Sequence, residues 1–260
     1  MTVILVLLFA ALACAAGTPE GHLAANVSPR RIEVGAFYDG ATVKVEGVAE
    51  AGSQVIVTVV GSDAEERFNR KGRLGPIWLN SGKVRISGVP SLFLRFSAAP
   101  VGTLLSRDSV ARHGLDKESL MQRMRADPRA PGDRGDARIR ADYLSLKEAD
   151  GSYAFGDGGI QVTENGGRDA AFTLAFRWPK KAPPAMYEVR VYEARNGEVV
   201  RETSMPLEVV RTGFPAWLAG IADGRPSLYG ITAVLAGALA GFGIDLLVTR
   251  LFGRKRAAAH

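Results

Sequence analysis

The chain has 260 residues, 47% of them hydrophobic and 23% charged, and a formal net charge of +6. That balance suits a globular body and is too apolar for a disordered chain. Arg250, Arg254, Lys255 and Arg256 close the chain with Asp245 as the only acid among them, and the remainder holds 29 basic against 26 acidic residues. A charge this local gives no ground for nucleic-acid binding, and none is expected.

From the start, Val3 to Ala16 is apolar and small, with A-x-A patterns at Ala11–Ala13 and Ala13–Ala15. It is short for a membrane span and reads as a signal peptide over residues 1–16, although no Lys or Arg precedes it. An uncleaved anchor is the alternative. The only cysteine, Cys14, lies in this run. A mature body without it has no disulfide, no cysteine metal site and no thiol nucleophile.

An exported β-rich domain is expected over residues 24–211. Ile32, Val34 and Ala36 alternate with Glu33 and Gly35, Val43 and Val45 alternate with Lys44 and Glu46, and Val55 to Val60 is a β-branched run. Ile77–Leu79, Val84–Ile86 and Leu92–Phe96 continue the pattern, with glycines punctuating the segments. Arg67, Arg70, Lys71 and Arg73 precede Trp78 and read as a solvated turn entering a strand. The competing possibility is a partner surface, because guanidinium groups stack on indole faces.

The middle reads as a helical insertion over about 106–149. Asp116 can cap one helix, with Leu115 and Leu120 at hydrophobic-staple spacing and Pro128 as its stop. Pro131 to Asp136 reads as a connector, and a second helix is predicted from Ala137 to Ala149. Strands then return. Phe172, Leu174 and Phe176 alternate, as do Tyr187, Val189 and Val191, and Asn196-Gly197 marks a hairpin before Val199. Many short strands with such turns predict a mainly β fold, an Ig-like β-sandwich with a two-helix insertion. Two small β domains flanking the helices are the alternative.

Phe214, Trp217, Leu218 and Ile221 recur at helical spacing, so residues 214–223 are expected to form an interfacial amphipathic segment. Leu228 to Arg250 is predicted to be a transmembrane helix, followed by a cytoplasmic basic tail over 251–260. Within it, Ala233, Gly237 and Gly241 offer small-residue helix packing, and Asp245 offers a polar contact near the basic end. The three histidines, His22, His113 and His260, stand in no metal-ligand spacing. No cofactor, metal or catalytic residue is expected.

Arg70-Lys71, Gly75, Trp78, Asn80 and Val89-Pro90, followed in order by Met186–Tyr192, Asn196–Val200 and Leu228-Tyr229-Gly230, resemble the alphaproteobacterial transmembrane protein family. The resemblance runs from about Asn26 onward. It implies an exported body and one C-terminal span, and it brings no activity or catalytic residue with it. The expected protein is single-pass in the inner (plasma) membrane, with its body periplasmic and its C-terminus cytoplasmic. Its expected function is that of a non-enzymatic accessory protein that binds or steadies an integral membrane protein, such as a transporter. An envelope ligand-binding or sensory protein is the alternative, and an enzyme with an unfamiliar site is a third reading.

Overall fold

The structure is a computed structural model, and it describes residues 23–74, 77–127, 133–164, 167–224 and 226–252. The expected signal peptide and residues 253–260 of the basic tail lie outside the described residues.

The chain forms β1 (Ala24–Ser28), β2 (Arg31–Val34), β3 (Thr42–Glu50), β4 (Gln54–Val60), β5 (Asp63–Leu74), β6 (Ile77–Pro90) and β7 (Phe93–Ser97). Helices α1 (Val101–Leu104), α2 (Arg107–His113) and α3 (Lys117–Arg123), strand β8 (Arg125–Asp127) and helix α4 (Asp133–Ala149) follow. Then come β9 (Tyr153–Asp157), β10 (Ile160–Glu164), β11 (Asp169–Arg177), β12 (Met186–Arg195) and β13 (Glu198–Arg211). Two helices, α5 (Gly213–Gly224) and α6 (Pro226–Phe252), end the described chain.

The strands form a sandwich. One sheet has the order β1-β3-β11-β10 and the other β2-β13-β12-β4-β7-β9. The first follows the A-B-E-D succession of immunoglobulin-like domains, and β13-β12-β4 follows G-F-C. Alternate residues of both sheets meet in one core: Val43, Val45, Phe172 and Leu174 from one, and Val55, Val57, Val59, Val189 and Val191 from the other. The close approach needs a glycine at Gly47. A Cβ there would stand 2.2 Å from the Ala24 carbonyl and 2.5 Å from the Phe172 ring.

The loop before β12 carries the corner typical of this sandwich. The Tyr187 hydroxyl donates to the Pro183 carbonyl four residues upstream, and its ring meets Trp178 edge-on with centroids 4.8 Å apart. At the far end, Asn196 and Gly197 both take positive φ, 52° and 81°, and make the expected tight hairpin between β12 and β13.

β4 is a continuous apolar run because it is covered on both faces. Val55, Val57 and Val59 enter the sandwich, while Ile56 points the other way beneath Val101, Leu105, Val110 and Leu115. The insertion therefore packs on the outside of the six-stranded sheet. It is larger than expected, beginning at Val101 and holding four helices and β8. Asp116 caps α3 by accepting from the Ser119 N–H at 2.8 Å, and the staple leucines on either side are buried. The connector expected at 131–136 is shorter than its turn residues imply, since α4 is already helical from Asp133.

A second difference concerns the basic cluster. The expected turn over residues 67–73 is instead strand β5, paired antiparallel with β6 along a hairpin that also holds β8. The hairpin carries its own cluster, in which Val84, Ile86 and Val89 meet Leu120, Met124, Tyr143 and Leu144 of the helices. The Lys147 ammonium is buried against it and donates to Glu66 at 2.5 Å.

Candidate functional site

The α1–α3 cover leaves part of the six-stranded sheet open, and a groove of about 540 Å³ lies there. Period-two alternation puts Glu188, Arg190 and Tyr192 of β12 on this outer face, beside Thr58 of β4 and Ser204 of β13. His113 at the end of α2, Arg123 at the end of α3 and Asp63 at the start of β5 supply the walls. The floor is buried at Thr58 and Tyr192.

Both arginines in the groove face an acid, and so does His113. Arg190 donates to Glu188 Oε2 at 2.5 Å, Arg123 to Asp63 Oδ1 at 3.3 Å, and His113 Nδ1 lies 3.9 Å from Glu202. The hydrogen bond from Arg190 holds the Glu188 carboxyl below the ordinary carboxylate range, and the same bond raises the Arg190 guanidinium. Burial pushes the Tyr192 phenol up, and the His113 ring meets its edge with centroids 5.5 Å apart. The result is a trough in which charges of opposite sign stand beside the apolar Val60, Met186, Met205 and Pro206. It suits hydrogen bonding to a mixed-charge or backbone-like ligand better than capture of a single strong anion.

The residues singled out in the sequence lie elsewhere. Arg67 is on exposed β5, 3.5 Å from Glu65, which also takes Arg85 at 3.2 Å. Strand register sets Arg73 opposite Trp78, but the side chains of Arg70, Lys71, Arg73 and Trp78 lie outside the described residues. Ala233, Gly237, Gly241 and Asp245 lie on α6, exposed, and a Cβ added at Gly237 or Gly241 would meet nothing within 4 Å. The groove was not foreseen, because its parts come from six elements and share no local pattern.

The remaining feature is α6 itself. Tyr229–Arg250 is 22 residues of mean hydropathy 2.1, none of it buried against the body. At about 1.5 Å per residue it reaches about 33 Å, enough for a hydrocarbon core. Residues 22–250 match the family described as Putative transmembrane protein (Alph_Pro_TM). The chain belongs to that family. No curated protein matches the sequence. In this Alph_Pro_TM member, α6 is the one candidate span among the described residues. It follows the sandwich through α5, where Trp217 is exposed and Leu218 and Ile221 are half-buried. The Alph_Pro_TM match thus spans both the β-rich body and the apolar helix.

Proposed function

We propose that this is a non-enzymatic accessory protein, tethered by α6, whose sandwich binds or steadies a neighbouring integral membrane protein. In this reading residues 1–16 direct export, the body is periplasmic, the helix crosses the inner membrane, and the basic tail is cytoplasmic. The observation that carries it is the charge pairing in the groove. Arg190 and Arg123 are each set against an acid, which leaves the groove suited to holding a polar chain. The exposed small-residue side of α6 would add a second contact within the bilayer.

Cross-linking in native membranes followed by affinity capture of the intact protein tests this. One integral membrane protein should co-purify, and Arg190→Glu should reduce its recovery. A strictly monomeric protein that captures no partner contradicts the proposal. The second reading, an envelope ligand-binding or sensory protein, draws on the groove volume, which falls in the range of small-molecule sites. Full-length protein in detergent should then show a thermal shift with mixed-charge small molecules or envelope polymers, and a flat response counts against it.

A further inference from the structure

The sandwich has one end from which the membrane helix departs, and its loops are unusual for a soluble surface. β2 and β13 run parallel and finish together, with Val34 opposite Arg211. The Thr212 N–H donates to the Val34 carbonyl at 3.1 Å, and the chain then enters α5 and α6. The loop after β2 is therefore fixed beside the root of the anchor. Strand register brings a second loop to the same end, since Arg177, the last residue of β11, pairs with Thr42, the first residue of β3.

Two kinds of side chain gather there. Gly35 to Tyr38 form a tight turn, closed by the Tyr38 N–H on the Gly35 carbonyl at 3.3 Å. Val34, Tyr38 and Ala41 fold back against the sandwich core, while Phe37 at the tip is 99% exposed. Met186, opening β12 at this end, is 56% exposed, and Trp217 on α5 is 55% exposed. Around them stand Arg177, Lys180, Lys181 and Arg211, all exposed. Arg177 and Lys180 both lean on Asp39, the one acid of the β2–β3 loop. A single exposed Phe is ordinary on a protein surface. A Phe at the tip of a turn, with cations around it and fixed beside the entry to α5, which leads into the apolar helix α6, fits an interfacial contact in which the ring enters the acyl boundary and the cations meet lipid phosphates.

We infer that this end of the sandwich rests on the bilayer, with Phe37 inserted and with Arg177, Lys180, Lys181 and Arg211 on the headgroups of anionic lipid. Such seating stands the strands on the membrane and turns the β4–β12–β13 groove sideways over its surface. The inference is independent of what the groove binds.

Site-directed spin labelling of the full-length protein tests it. The protein carries Cys14→Ala and either Phe37→Cys or Val200→Cys, and is placed in bilayers of phosphatidylcholine with phosphatidylglycerol. Both positions are exposed, so the labels disturb no packing. From oxygen and nickel-chelate accessibility, the label at 37 should lie ~5–10 Å below the phosphates, the depth of interfacial side chains. The label at 200, near the opposite hairpin, should read as water-exposed. Adding Lys180→Glu and Lys181→Glu should raise the label at 37 toward water. A label at 37 as accessible to the nickel chelate as the one at 200 overturns the inference. An unchanged depth in the lysine variant overturns the assignment of those cations.

Discussion

Glu193 gives the sharpest test of how the sandwich is held at its far end. Its carboxylate is 0% exposed, yet three donors meet it: the Ser53 hydroxyl at 2.7 Å, the Glu50 N–H at 3.2 Å and Arg201 Nη1 at 2.9 Å. Arg201 also reaches Glu50 at 3.2 Å, and Arg195 bonds Glu50 at 2.9 Å and Ser53 at 3.2 Å. Glu193→Ala removes the common acceptor but leaves Arg201 with Glu50, so no cation is stranded. The loss is then of hydrogen bonds to a charged group, each worth about 1.5–3 kcal/mol net, offset by relief of the desolvation cost of a buried carboxylate, so a total near 3 kcal/mol is expected and not the sum of three bonds. For a body of this size that lowers Tm by ~6–12 °C. Arg201→Ala should destabilise more than Glu193→Ala, because it leaves a fully buried carboxylate without its cation. Thermal and urea unfolding of the full-length protein in detergent, followed by near-ultraviolet circular dichroism, reads both. A Glu193→Ala protein within about 0.5 kcal/mol of wild type, an ordinary surface-mutation effect, refutes the account, as does an Arg201→Ala protein that is the milder of the two.

Acid should weaken the same end through Glu50, and the groove through Glu188. Glu50 is held below its usual 4.5 first by the hydrogen bond from Arg195 and then by that from Arg201, and Glu188 is held down by Arg190. The unfolded chain takes up these protons first as pH falls. The stabilisation is therefore complete above about pH 4.5 and is lost as pH drops through the depressed folded values. The urea midpoint should be lower at about pH 4 than at about pH 6, and Glu50→Gln should shrink that difference. Tyr187→Phe removes the corner hydrogen bond from a phenol that burial pushes up to about 12, and should cost about 1–2 kcal/mol in urea unfolding with the fold unchanged. Gly47→Ala drives a methyl into the Ala24 carbonyl and the Phe172 ring, so β1 should lose amide protection in hydrogen exchange before the rest of the sheet does.

The parts of the fold that showed in the sequence are those set by local rules. Asp116 caps its helix through its own side chain, Asn196-Gly197 adopts the two positive φ values its hairpin needs, and Phe172 and Leu174 alternate into the core. The span was plain from length and composition alone. Residues 67–73 read as a turn because β5 is mostly polar, and its strand state depends on a partner up to 27 residues away, as in Asp63 against Pro90, whereas the β6 segments at Ile77–Leu79 and Val84–Ile86 read correctly as strand. Gly135 and its neighbouring aspartates looked like a connector, yet they sit in the opening turns of α4. Glu193 and Lys147 gave no hint of burial, since a buried charge is decided by partners distant in the chain, here Ser53 and Glu66. The groove was invisible for the same reason: its floor at Thr58 and Tyr192 and its wall at His113 meet only after the insertion has folded over the sheet.

β13 has a mechanical consequence. It is one unbroken strand from the Asn196-Gly197 hairpin to the start of α5, which leads into the membrane helix, and it is bonded antiparallel to β12 on one side and parallel to β2 on the other. A pull between the far hairpin and the bilayer is directed along this strand, while its hydrogen bonds run across it. The bonds are loaded together in shear and cannot be peeled one at a time, so the strand acts as a stiff strut through which a tug on the outer tip reaches the membrane.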